Sequence, residues 1–177
     1  MRIHLTIIFL LLSFPAAFAQ TGYVSVKDSA TGQKIFQGII SEEILIKEDS
    51  FGWMKMDLSS YQPDSLALNL IANNKDSLHL LIFLGTWCED SQQIIPKIFK
   101  LLHKAKLPHN KISILGVDRQ KKTLGNFSDG FNVSRVPTII VLKKGEEIGR
   151  IIEYGKYGNI EKDLIEMLTH NSKVKTN

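Results

Sequence analysis

The clearest pattern of apolar and polar positions begins at residue 78. Leu78 to Gly85 is a nearly continuous apolar run, as a central strand buried on both faces would be. From about Asp90 to Ala105 the apolar residues fall at helical spacing. Ile94, Ile95, Ile98, Phe99 and Leu102 form one face, and Pro96 inside the segment predicts a kink. Ile112 to Val117 reads as a second buried strand. Asp118 to Gly130 is polar and loop-like, with a helical turn near Leu124 to Phe127. Val136 to Leu142 reads as a strand opening on Pro137, at the end where a strand tolerates proline. Lys144-Gly145 then makes a turn, and Glu147 to Ile152 returns as the second arm of a hairpin. Asn159 caps a last helix whose stripe is Ile160, Leu164, Ile165 and Leu168. This order predicts an α/β domain, a mixed sheet with helices on both faces.

Residues 21 to 76 carry a weaker pattern. Tyr23, Val24 and Val26 suggest a short strand before the turn Ser29-Ala30-Thr31-Gly32. Ser41, followed by Glu42, Glu43 and Ile44, predicts an N-capped helix with acids in its first turn. Phe51 to Leu58 predicts a short helix, with Phe51, Met54 and Leu58 on one face. Asp64 predicts the cap of another helix through Leu66, Leu70 and Ile71. The segment reads as a largely helical extension, residues 20–76, packed on the domain at 77–171, with a flexible tail at 172–177.

The first 19 residues change the picture. Arg2 is followed by the apolar stretch Leu5 to Leu12, broken by Thr6, and by Ala17-Phe18-Ala19, a small-x-small cleavage signature. The apolar stretch is shorter than the roughly 20 residues that a membrane span needs. A signal peptide over 1–19 is expected, with the mature chain starting near Gln20 and exported to the periplasm or beyond. The residue directly after Ala19 is Gln20 and not a cysteine, so no lipid-anchored end is expected, and no membrane span is expected after cleavage. Bulk composition, 44% hydrophobic and 23% charged, is that of an ordinary globular chain. The formal net charge of +4 comes from scattered lysines, with pairs only at Lys121-Lys122 and Lys143-Lys144. It forms no nucleic-acid patch.

Cysteine content matters more. Cys88 is the single cysteine, so the chain forms no internal disulfide. An unpaired thiol in an exported chain is a candidate reactive group. Its bland counterpart is a small buried hydrophobe. Cys88 stands where the apolar strand gives way to the helix, in Thr86-Trp87-Cys88-Glu89-Asp90-Ser91. Backbone N–H groups at a helix start favour a thiolate. Ser91, one turn on, is placed to donate a hydrogen bond to the sulfur. Glu89 and Asp90 oppose the thiolate by like charge, and they also suit a first helical turn without further purpose. The histidines after residue 20, His79, His103, His109 and His170, show no metal-ligand spacing, and no phosphate-cradling glycine loop is present. No metal and no cofactor are expected. His79 reads as a hydrogen-bonded residue of a buried strand.

Taken together, several features resemble the thioredoxin-fold family over about residues 78 to 170. They are the apolar strand ending in Trp87-Cys88, the helix starting there with Pro96 eight residues on, the strand ending at Asp118, Val136-Pro137-Thr138 ahead of a hairpin, and the closing amphipathic helix. The resemblance implies a thioredoxin-like fold and a cis Val136–Pro137 bond facing the cysteine. The departures are equally specific. The family's Cys-x-x-Cys is here Cys88-Glu89-Asp90-Ser91. The family's buried acid maps onto Ile82, and the lysine that often faces it maps near Ile114. The resolving thiol and its proton-handling partners are missing together.

A single thiol can attack a disulfide but cannot release itself. The expected function is therefore thiol–disulfide exchange or isomerisation through mixed disulfides at Cys88, with release by an external thiol. Cys88 and Ser91 would be catalytic, Glu89 and Asp90 modulating, and Trp87, Val136, Pro137 and Thr138 substrate-binding. Partners would be proteins or low-molecular-weight thiols and disulfides, with no nucleic acid. The rival reading is a redox-inactive binding module that grips an extended peptide in the Trp87/Pro137 groove. Peroxidase-like chemistry is a third reading, and neither a threonine three residues before Cys88 nor an obvious arginine partner supports it.

Overall fold

The computed structural model describes residues 22–173. The expected signal peptide lies outside the described residues. The six strands are β1 (Tyr23–Lys27), β2 (Lys34–Ile40), β3 (Leu78–Leu84), β4 (Ile112–Gly116), β5 (Thr138–Lys143) and β6 (Glu146–Ile152). The helices are α1 (Glu42–Lys47), α2 (Ser65–Asn74), α3 (Glu89–Lys104), the one-turn α4 (Phe127–Gly130) and α5 (Ile160–Lys173).

One sheet runs β1-β2-β4-β3-β5-β6. β3 and β4 pair in parallel, and every other pair is antiparallel. β3 lies inside the sheet with Leu78, Leu80, Ile82, Phe83 and Leu84 fully buried. Its even-numbered residues face a large core with Ile71 of α2, Ile95 and Leu102 of α3, and Leu164 and Leu168 of α5. Its odd-numbered face meets a smaller cluster, in which Phe83 packs with Leu115, Val117, Val133, Ile140 and Phe131. Helices therefore cover one face thickly. The short α4 and the loop after it close the other.

Local signals explain most boundaries. Ser41 accepts from the Ile44 N–H, and Asp64 accepts from Leu66 and Ala67, so α1 and α2 start where capping residues stand. Lys144 (φ 56°) and Gly145 (φ 87°) both adopt left-handed backbone, as a tight two-residue hairpin turn requires. α3 runs on with Pro96 inside it, which frees the Gln92 carbonyl from its usual partner.

Three expectations are corrected. The extension is not wholly helical, because Lys34–Ile40 is a strand that pairs with β4 and brings β1 onto the sheet edge. Gln37 and Gly38 interrupt its alternation, and Gly38 stands where the backbone of Gly22 and Tyr23 passes too close for a Cβ. The segment after Phe51 forms only a 3-10 turn, Gly52–Lys55. The helix α5 continues to Lys173, past the expected start of the tail.

The extension also grips α3. Lys100 Nζ donates to the carbonyls of Leu58 and Tyr61. Lys104 Nζ donates to Gln62 (3.1 Å), and the Tyr61 hydroxyl donates to Glu161 of α5 (2.5 Å). Burial and Glu161 together push the Tyr61 phenol above its ordinary range.

Candidate active site around Cys88

Cys88 is the residue that caps α3. Its N–H donates to Gly85 O (2.9 Å), and its carbonyl accepts the first helical bond, from Gln92 N (3.0 Å). The side chain is half-buried and caps nothing, so the sulfur is left to point across the site. There the thiol donates to the carbonyl of Val136 (3.3 Å). The Val136–Pro137 peptide bond is cis. Pro137 O accepts from Glu153 N (2.7 Å), which anchors this turn to the end of β6. Val136 N–H has no protein acceptor among the described residues.

The structure brings Trp87, Cys88, Val136 and Pro137 together. Trp87 is half-buried. Its indole N–H donates to Val117 O (3.0 Å), and its ring carries Arg119 at 4.9 Å and Lys121 at 5.7 Å from the centroid. Gly85 is needed beneath it, since a Cβ there would lie 2.8 Å from the indole. Arg119 also pairs with Asp28, whose carboxyl is held below the usual range by the Ala30 N–H and by Arg119 itself.

Two site residues are placed differently from expectation. Ser91 is fully buried, and its Oγ accepts from the Gly85 N–H (3.2 Å), with no bond to the Cys88 sulfur. The hydroxyl ties the first turn of α3 back to the end of β3, because position 91 faces the core and position 88 faces the Val136–Pro137 turn. Thr138 is buried, 2% exposed, and its hydroxyl donates to Arg135 O (2.8 Å). The register Phe83↔Thr138 places it inside the sheet, where its hydroxyl holds the turn before β5.

Glu89 is exposed in the first turn of α3. Asp90 is half-buried, and the Tyr154 hydroxyl lies 3.0 Å from its Oδ1 and 3.1 Å from Gln93 Oε1. The Asp90 bond, with the negative charge around the site, raises the Tyr154 phenol above its ordinary range. Tyr154 and Arg119 are neighbours of the site that sequence reasoning missed. They arrive from 66 and 31 positions beyond Cys88 in the chain, and no local motif marks either one.

Ile82 and Ile114 are paired across β3 and β4 and buried, so an apolar contact fills the place where an acid and a lysine would have stood. Among the described residues, no group of His, Cys, Asp or Glu is arranged around Cys88 to hold a metal. His79 bonds Ser113 across the sheet (2.9 Å), as expected for a strand histidine.

The family model described as Thioredoxin matches residues 65–167, more than half of the chain. A thioredoxin of Chlamydia pneumoniae is 31% identical over 75 residues, which cover 42% of this chain and 68% of that protein. Thioredoxin H9 of Arabidopsis thaliana is 30% identical over 74 residues, covering 42% of this chain and 49% of that protein. A solved thioredoxin of Fasciola hepatica is 25% identical, covers 58% of this chain and 88% of its own, and superposes with a TM-score of 0.39. The matched segment holds β3 through β6, α2, α3 and most of α5, with Cys88 and Pro137 inside it. The chain belongs to the thioredoxin family.

Proposed function

We propose that this chain is a single-thiol member of its family that forms mixed disulfides at Cys88 and depends on another thiol for release. The observation that carries this reading is the pairing of two positions on α3. Cys88 faces the groove at the helix start, and the family's second thiol is replaced by Ser91, whose hydroxyl is buried and committed to Gly85. In the forward step the Cys88 thiol loses its proton to solvent. The thiolate attacks one sulfur of a substrate disulfide. A Cys88–substrate S–S bond forms, the substrate S–S bond breaks, and the departing thiolate takes up a proton. Ser91 cannot repeat that attack on the mixed disulfide. An incoming thiolate, from the substrate or from a small thiol, displaces the Cys88 sulfur and restores it.

Trp87, Val136 and Pro137 would form the walls that hold the substrate beside the sulfur, with the unpartnered Val136 N–H as the backbone donor for an extended segment. Glu89 and Asp90 would modulate the thiolate, Asp90 under the hand of Tyr154. Substrates would be protein disulfides or low-molecular-weight disulfides. We also propose export with cleavage near Ala19-Gln20, and a division into an extension at 20–76 and a catalytic body at 77–171.

The test is intact-mass analysis after exposure to oxidised glutathione. A single glutathione adduct is expected, absent from Cys88→Ala and removed by excess reduced glutathione. Ser91→Cys should release the adduct on its own, as a disulfide forms between Cys88 and the introduced thiol. An unmodified chain, or extended partners captured equally well by Cys88→Ala, would overturn the reading in favour of a non-covalent groove.

A further inference from the structure

Glu42, His103 and His109 come from three separate elements and meet at the end of α3 remote from Cys88. Their potential ligand atoms all lie within 4.8 Å of one another. Glu42 is the first residue of α1, His103 sits in the last turn of α3, and His109 opens the 3-10 turn His109–Lys111 ahead of β4. His103 Nε2 lies 2.9 Å from Glu42 Oε2. The His103 ring is stacked on Phe99, with centroids 6.3 Å apart and planes 18° from parallel, and it meets His109 edge-on at 5.7 Å. The site is thus partly set before any ligand arrives. Behind Glu42 and His109 lies a cavity of about 100 Å³ walled by Ile40, Phe99, Ile112 and Ile114. Apart from Ser41 and the cluster's own side chains the cavity wall is apolar, and both histidines are exposed on the other side. Lysines close in the chain are engaged elsewhere: Lys104 by Gln62, Lys100 by the Leu58 and Tyr61 carbonyls, and Lys111 by the Asp76 carbonyl.

We propose that Glu42, His103 and His109 form a three-donor site for a divalent transition metal of the zinc class, which staples the extension to the body of the domain. Two imidazoles and one carboxylate are the donor set that suits zinc, nickel or copper(II), and three protein donors leave a fourth position for water. Metal–donor bonds of about 2.0–2.2 Å put tetrahedral donors about 3.3–3.5 Å apart. The Glu42–His103 pair, at 2.9 Å, is a little closer than that, and no pair is wider than 4.8 Å. Both histidines are exposed, so small rotations of their side chains close the difference. Binding would exchange the His103–Glu42 hydrogen bond for two metal bonds and draw in His109. α1 would then be fixed to α3 and to the approach to β4. Cys88 caps the opposite end of α3, about 22 Å away at 1.5 Å per residue, so the metal takes no part in the thiol chemistry.

The experiment is calorimetric titration of the metal-free full-length chain with zinc chloride and, separately, nickel chloride. A Cys88→Ala background removes the thiol as a ligand. One equivalent of zinc is expected, with a rise in melting temperature at saturation. His103→Gln and His109→Gln should each weaken binding at least tenfold, and Glu42→Gln several-fold, while His170→Gln leaves it unchanged. Far-UV circular dichroism of the exposed-site variants confirms that they fold. Absence of binding, binding insensitive to His103→Gln and His109→Gln, loss with His170→Gln, or saturation without a rise in melting temperature would overturn the proposal.

Discussion

Ser91→Ala separates two physical roles for the residue that stands in place of a second thiol. The substitution removes one oxygen from a fully buried site and leaves the Gly85 N–H, also buried, without its acceptor. An unsatisfied buried donor costs about 1–3 kcal/mol. Alanine returns roughly 0.5 kcal/mol through its better helix propensity. The net loss is about 0.5–2.5 kcal/mol. A chain of this size loses roughly 2–4 °C of melting temperature per kcal/mol, so a fall of about 1–10 °C is expected. Thermal unfolding followed by circular dichroism measures it, and alkylation of Cys88 by iodoacetamide at fixed pH is followed in parallel. Because the Ser91 hydroxyl makes no bond to the sulfur, the alkylation rate should change by less than about threefold, well under 1 kcal/mol. An unchanged melting temperature with a tenfold slower alkylation would contradict this account and assign the hydroxyl to the thiolate.

Two further outcomes follow from the sheet. Gly116→Ala would place a Cβ 2.1 Å from the Phe36 carbonyl oxygen, a backbone atom that cannot swing away, so the β2–β4 pairing must open. Urea unfolding should show a loss at or above the roughly 1–3 kcal/mol of ordinary overpacking, and a wild-type midpoint would contradict the register. His79 is held below its ordinary value of 6.5, first by burial and then by Lys111. The unfolded imidazole therefore binds its proton at higher pH than the folded one, and stability falls as pH drops below about 6.5. His79→Gln should flatten that part of the stability–pH curve, and an unchanged slope would show that other groups set it.

Residue order alone lays out the main body of the domain. β3, β4 and β5 announce themselves as apolar runs, because strands buried in a sheet need no polar alternation, and β6 is read from the Lys144-Gly145 turn before it. The capping residues Ser41 and Asp64 mark helix starts through their own side-chain chemistry. The missing second thiol at Ser91 and the apolar pair Ile82 and Ile114 are legible without coordinates. Relations across chain distance appear only once the elements pack. β2 was hidden because its pattern makes sense only when Gly116 lets the Phe36 backbone approach. Thr138 and Ser91 read as site residues, yet register and helix phase turn both inward, where they hold the frame, while Trp87, Cys88 and the Val136–Pro137 turn pack together beside them. Tyr154, Arg119 and the Glu42–His103–His109 cluster follow the same rule. Each gathers side chains from elements far apart in the chain, and packing alone sets those distances.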